Sequence, residues 1–222
     1  MYSIKKSEVL RYLGYNGQEI SPEIDSLISE LTEKAKNICT PTYTYIISDI
    51  EKTPEGLHLT GTDICLSGND ISMHLNGASK CITFACTLGV GFESTLLRLQ
   101  AQSMTKALIF DAVGTAFIEE VADVTENTLL SPFIKDGYFS KFRYSPGYGD
   151  LSLEFQKKII NTLQCQKRIG LTVTDTNILI PRKSVTAFIG IFDTPQQKPN
   201  SKCEICTNKE MCRMRKDGKA CD

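Results

Sequence analysis

KCITFACTLG, residues 80–89, is a nearly continuous apolar run that ends in GVG at 89–91. A run of this kind without polar alternation reads as a strand covered on both faces, which places it at the centre of a sheet. Two helices follow. The first is FESTLLRLQAQ (92–102); the second starts near Met104, carries Leu108, Val113, Phe117, Val121 and Val124 at helical spacing, and is expected to stop at Pro132. The glycines of TLGVGFES (87–94) fit a tight strand-to-helix turn. Their spacing lacks both the third glycine of a dinucleotide fingerprint and the Gly-Lys-Ser/Thr of a phosphate loop.

Working outward, TYTYIISDI (42–50) and GLHLTGTDICL (56–66) are rich in β-branched and aromatic residues and are separated by the turn-like TPEG, so they read as antiparallel strands or a meander. VLRYL before Gly14 predicts a short opening helix. A longer one starts at Ser21–Pro22, an N-cap followed by proline at the first helical position, with Ile24, Leu27, Ile28, Leu31, Ala35 and Ile38 in one stripe. SGNDISMHLNG (67–77) predicts a short helix, SLEFQKKIINTL (152–163) another, and TNILIP (176–181) and SVTAFIGIF (184–192) two closing strands joined by PRK. Helices and strands come in groups, without internal repeats. That pattern predicts an α+β domain over 1–193 with a mainly antiparallel twisted sheet flanked by helices, then a polar, proline-bearing linker (194–202) and a cysteine-rich tail (203–222).

The 222 residues carry 25 Lys+Arg against 26 Asp+Glu, a net charge of −1, which argues against a general nucleic-acid binder. No apolar run approaches the roughly 18 residues of a membrane span and no signal-peptide core opens the chain, so a cytoplasmic protein is expected. Five of the nine cysteines (Cys39, Cys65, Cys81, Cys86, Cys165) are scattered through helix and strand segments as small hydrophobes of a reducing compartment. The other four, Cys203, Cys206, Cys212 and Cys221, have the spacing C-x2-C-x5-C-x8-C among lysines and arginines. Four thiolates so spaced suit a tetrahedral zinc or an iron–sulfur cluster, and spacing leaves the choice open, with disulfides or idle thiols as the other outcomes.

Candidate site residues gather in FIKDGYFSKFRYSPGYGD (133–150), an irregular aromatic segment read as a lid or a ligand wall. Within it Pro146–Gly147 sets a tight turn in which backbone N–H groups can approach a ligand. Arg143 has the fork that grips a carboxylate in two parallel hydrogen bonds, and Tyr144 and Tyr148 offer ring faces and hydroxyls. A pocket for a small molecule with a carboxylate and an aromatic ring, and an ordinary turn with a surface arginine, are both compatible with this composition. Glu119 and Glu120, beside the apolar stripe of the long helix, read either as i,i+3/4 ion-pair partners or as contacts to a ligand amine or ribose hydroxyl. His58 and His74, the only histidines, have no nearby second ligand in sequence and read as surface or half-buried side chains.

RYSPGYGDLSL (143–153) resembles the Arg-x-x-x-Gly-Tyr signature of the S-adenosylmethionine-binding activation domain of cobalamin-dependent methionine synthase. CTLGVGFESTLLRLQAQSMTKALIFDAVGTAFIEEVAD (86–123) is similar to the family's preceding strand and helices, and IGLTVTDTNILIPRKSVTAFIGI (169–191) to its next block. The resemblance runs from about residue 5 to 195 and is nearest to stand-alone members with a cysteine-rich tail. It implies S-adenosylmethionine bound with its methionyl carboxylate on Arg143, its adenine and ribose along the backbone of Tyr144 to Gly147, and Tyr148 over the ligand or the corrin. It further implies a partner synthase or related corrinoid protein, whose cob(II)alamin is reduced by a separate electron-donor protein and remethylated. The chain would be an accessory component, since it carries no cobalamin module of its own. Two departures stand out: the acidic residue that fused members carry before the arginine falls near Gly137, beside Asp136, and the family's acidic contact on the long helix fits Glu119 and Glu120 equally. The competing expectation is a metal or iron–sulfur redox adaptor for another corrinoid protein, with the tail as its active part. An independent methyltransferase is disfavoured, because the glycine-rich loop and doubly wound pattern are missing.

Overall fold

The computed structural model describes residues 2–15 and 17–196. In chain order these form α1 (Lys6–Tyr12), α2 (Pro22–Ile38), β1 (Thr42–Thr53), β2 (Gly56–Leu59), β3 (Cys65–Leu66), α3 (Asn69–His74), β4 (Lys80–Thr87), α4 (Val90–Gln102), α5 (Met104–Lys135), β5 (Phe139–Ser140), α6 (Phe155–Thr162), α7 (Cys165–Ile169), β6 (Thr172–Val173), β7 (Leu179–Ile180) and β8 (Ser184–Phe192). The fold is α+β. Six strands pair antiparallel in the order β3-β2-β1-β4-β8-β5.

As the apolar run at 80–89 predicts, β4 is central and almost wholly buried, flanked by β1 and β8. Its side chains alternate between two cores. Ile82, Phe84 and Cys86 face α1, α2, α4 and α5, while Cys81 and Ala85 face α3, α6 and α7. Local signals behave as read. The Ser21 hydroxyl accepts the Ile24 N–H at 3.4 Å above Pro22. Gly14, at φ +82°, closes α1 with bonds from Gly14 N–H to Arg11 O and from Tyr15 N–H to Leu10 O, the paired pattern of a left-handed helix stop.

Four expectations need correction. Pro132 does not stop α5, which continues to Lys135; a proline in the last turn forfeits only one backbone bond, and Asp136 N–H caps the carbonyls of Pro132 and Phe133. Leu108 and Val124 lie outside the buried stripe at 65% and 39% exposure. The reason is that α5 is buried on several sides by α1, α2, α4 and the sheet, and small residues such as Ala107, Gly114 and Ala122 take the close contacts. Phe92 and Phe110 stack at 4.4 Å, with the Phe92 ring lying over Gly114. β7 and β8 are not a closing pair, because β7 joins β6 in a separate two-stranded sheet while β8 sits between β4 and β5. The aromatic segment at 133–150 is not irregular throughout, since Phe139–Ser140 and Tyr144 pair with β8.

Candidate functional site

The site residues follow from a mismatch at the sheet edge. Ser140 pairs with Ile191 and Tyr144 with Phe188, so residues 141–143 face only residues 189–190. Such a one-residue excess kinks the strand and re-aims its side chains. Tyr144 turns into the core formed with α3 and α6, and Arg143 reaches the opposite face, onto α5.

There Arg143 meets Glu119, Asp123 and Glu126, spaced i, i+4 and i+7 and therefore on one side of the helix. Its Nη1 donates to Asp123 Oδ1 at 2.6 Å and Glu126 Oε2 at 2.8 Å, and its Nη2 donates to Glu119 Oε2 at 2.8 Å. The guanidinium and the Glu126 carboxylate are each 15% exposed, whereas Glu119 and Asp123 are 46% and 59% exposed. Burial by itself would lower the Arg143 pKa; the hydrogen bonds to Glu126 and Asp123 outweigh it and raise the group further. Asp123 and Glu126 escaped the sequence reading. Their signal was the spacing E-x3-D-x2-E, three like charges on one helix face that require a cation between them.

Glu119 and Glu120 part company. Glu120 Oε1 accepts the Ser3 N–H at 2.8 Å and so fastens the N-terminal segment, where Tyr2 packs edge-on against Phe117. Neither glutamate makes the i,i+3/4 pair that composition allowed. Each instead has a partner far away in sequence.

The turn after Arg143 is a built unit. Tyr144 exchanges both backbone bonds with Phe188, at 2.8 and 2.9 Å; Gly147 N–H donates to Leu151 O at 2.8 Å, and Tyr148 N–H to Ser145 O at 3.0 Å. The N–H groups of Gly147 and Tyr148, at the turn expected to approach a ligand, are thus engaged within the fold, and the freedom of Gly147 is used for its φ of +94°. Asp150 accepts the N–H groups of Asn69 and Asp70 at 2.6 and 3.1 Å, tying the turn to the start of α3. Tyr148 stays half-exposed, edge-on to Tyr144 at 5.7 Å between ring centroids, beyond Pro146. The buried Tyr144 hydroxyl is pushed up to about 12, by desolvation first and then by the charges of Asp70 and Asp150.

The other end of α3 clamps the same strand. His74 packs on Phe142 and Tyr144 at 4.6 and 5.0 Å, and Lys141 Nζ donates to His74 O at 2.9 Å. His74 Nε2 lies 2.9 Å from Phe142 O; a carbonyl only accepts, so this nitrogen carries the hydrogen. Desolvation, partly opposed by that bond, lowers the His74 pKa from 6.5 to about 4. The unfolded chain therefore binds the proton more readily. The stability from neutral His74 is complete above pH 6.5 and is lost as pH falls towards 4, by about 3 kcal/mol. Urea unfolding of the wild type and of His74→Gln at pH 7 and 4.5 measures this: the wild type is expected to lose the larger share, and equal losses would refute the assignment. His58 is half-buried, with Nε2 3.0 Å from Thr62 O.

Cys203, Cys206, Cys212 and Cys221, with the linker from residue 197 onward, lie outside the described residues. Among the described residues no group of three or more His, Cys, Asp or Glu side chains is placed to hold a metal ion. The five scattered cysteines are free. Cys81, Cys86 and Cys165 are buried, Cys39 and Cys65 half-buried, and burial pushes the Cys81 and Cys86 thiols up to about 12. No helix among the described residues is long and apolar enough to cross a membrane.

No family model matches the chain. No curated protein matches it either. Among solved structures, the chain is similar to the MetH reactivation domain bound to AdoHcy, with a TM-score of 0.64 and 14% sequence identity over 95% of this chain and 80% of that one. At that identity the likeness is one of fold.

Proposed function

We propose that this protein binds S-adenosylmethionine on the Arg143 face of α5 and presents its methyl group to a corrinoid partner, a cobalamin-dependent methionine synthase or a related protein, in reductive reactivation. The observation that carries the reading is Arg143, a guanidinium held at a sheet-edge bulge between exposed carboxylates, next to a rigid turn that leaves Tyr148 open to solvent. The fold likeness supports it, because that neighbour holds AdoHcy, the demethylated form of the same ligand.

In this reading Arg143 grips the methionyl carboxylate, which takes the place of its two exposed partners, Glu119 and Asp123. The backbone from Tyr144 to Gly147 lines the adenosine, and Tyr148 faces the arriving corrin. Glu119 contacts the ligand and Glu120 does not, since it is committed to Ser3. The chain's own part is to bind, orient and shield; the electron comes from a separate donor protein and the acceptor cobalt from the partner. The test mixes the protein, S-adenosylmethionine, a reductant and a candidate synthase, with the cobalamin spectrum followed over time. Conversion of cob(II)alamin to the methylated form only when all components are present is expected. Conversion at the same rate without this protein would refute the reading.

The C-x2-C-x5-C-x8-C spacing favours a second role, in which Cys203, Cys206, Cys212 and Cys221 bind zinc or an iron–sulfur cluster and the latter passes the electron. Metal and sulfide content of the anaerobically purified full chain separates a cluster from zinc and from free thiols.

A further inference from the structure

The charges around Arg143 do not balance. One guanidinium faces three carboxylates, which leaves the cluster at −2. Glu126 shares the guanidinium's burial and is the fixed partner, whereas Glu119 and Asp123 are about half-exposed and can exchange their bonds to Arg143 for water. A ligand carboxylate placed on Arg143 would be a fourth negative group around one positive group. It is tolerated only if the same ligand brings positive charge within a few ångströms.

Resting on the reading of this site as an S-adenosylmethionine site, we infer that Asp123 and Glu119 are specificity-determining residues that select the sulfonium form of the ligand over its demethylated thioether. The ligand's carboxylate replaces Asp123 on Nη1 and Glu119 on Nη2, and the two freed carboxylates face its ammonium and sulfonium. S-adenosylmethionine carries a carboxylate, an ammonium and a sulfonium and is net positive; the thioether left after methyl transfer is neutral overall. Methyl loss therefore removes one of the two positive charges that face the cluster and leaves only the ammonium. The same carboxylates that admit the methyl donor weaken the hold on the product.

Calorimetry on the full-length protein tests this with S-adenosylmethionine, S-adenosylhomocysteine and sinefungin, an analogue with an ammonium in place of the sulfonium. The proteins are the wild type, Asp123→Asn, Glu119→Gln and, as a control, Glu55→Gln in the exposed turn between β1 and β2. The wild type is expected to prefer both cationic ligands over S-adenosylhomocysteine. Each site variant is expected to lower that preference about five- to tenfold, mainly by losing affinity for the cations, with the control unchanged and the preference shrinking as salt rises. Binding of S-adenosylmethionine with the same preference in all four proteins would overturn the inference and leave the site reading standing. A wild type that binds none of the three ligands would overturn both.

Discussion

Replacing Arg143 by alanine is expected to weaken S-adenosylmethionine binding by about ten- to a hundredfold, the loss of a charge-assisted two-point contact. The same change is expected to destabilise the protein by about 2–3 kcal/mol, because Glu126 is left at 15% exposure without its cation while Glu119 and Asp123 can turn to solvent. The two losses separate in a second variant. Arg143→Lys keeps one charge against Glu126, so most of the stability should return, but an ammonium cannot form the fork and the binding defect should persist. Calorimetry and urea unfolding on the three proteins give both readouts. Full affinity in Arg143→Lys would mean that the fork does not hold the ligand.

A second large effect is expected far from the surface. Gly114 lies on the face of α5 that meets α4, and a Cβ there would come within 2.0 Å of Phe92 Cζ. The ring has little room to retreat, since it is 1% exposed and stacked on Phe110 with 7° between planes. Gly114→Val is therefore expected to cost about 3 kcal/mol or more by overpacking, despite the gain in helix propensity. Phe92→Ala alone should cost about 3–5 kcal/mol by opening a cavity. The double variant should be markedly more stable than the sum of the two losses implies, because each change makes room for the other. Strict additivity in denaturant unfolding would show that the contact does not limit helix packing.

Much of the scaffold was legible because its causes are local. The apolar run of β4, the Ser21–Pro22 start of α2 and the stop at Gly14 each depend on periodicity or on a cap a few residues long. Errors arose where a residue's environment comes from distant chain. Leu108 and Val124 match the helical period of Val113 and Phe117, yet which sides of α5 are covered depends on where α1, α2 and α4 pack. β7 and β8 look alike in sequence, and their separation into two sheets rests on which partner strands they meet.

The site shows the same division. Sequence alone determined that Arg143, Pro146, Gly147 and Tyr148 form a stiff turn with one charged fork and one ring to offer, because proline, glycine and residue chemistry act within a few bonds. Only the tertiary structure decided what the fork faces. A one-residue excess between two strand pairings turns Arg143 to α5, and the helical repeat brings Glu119, Asp123 and Glu126 to it from 17 to 24 residues away. A net negative cluster around a single cation is a property of those long-range placements, and the charge a ligand must carry follows from it.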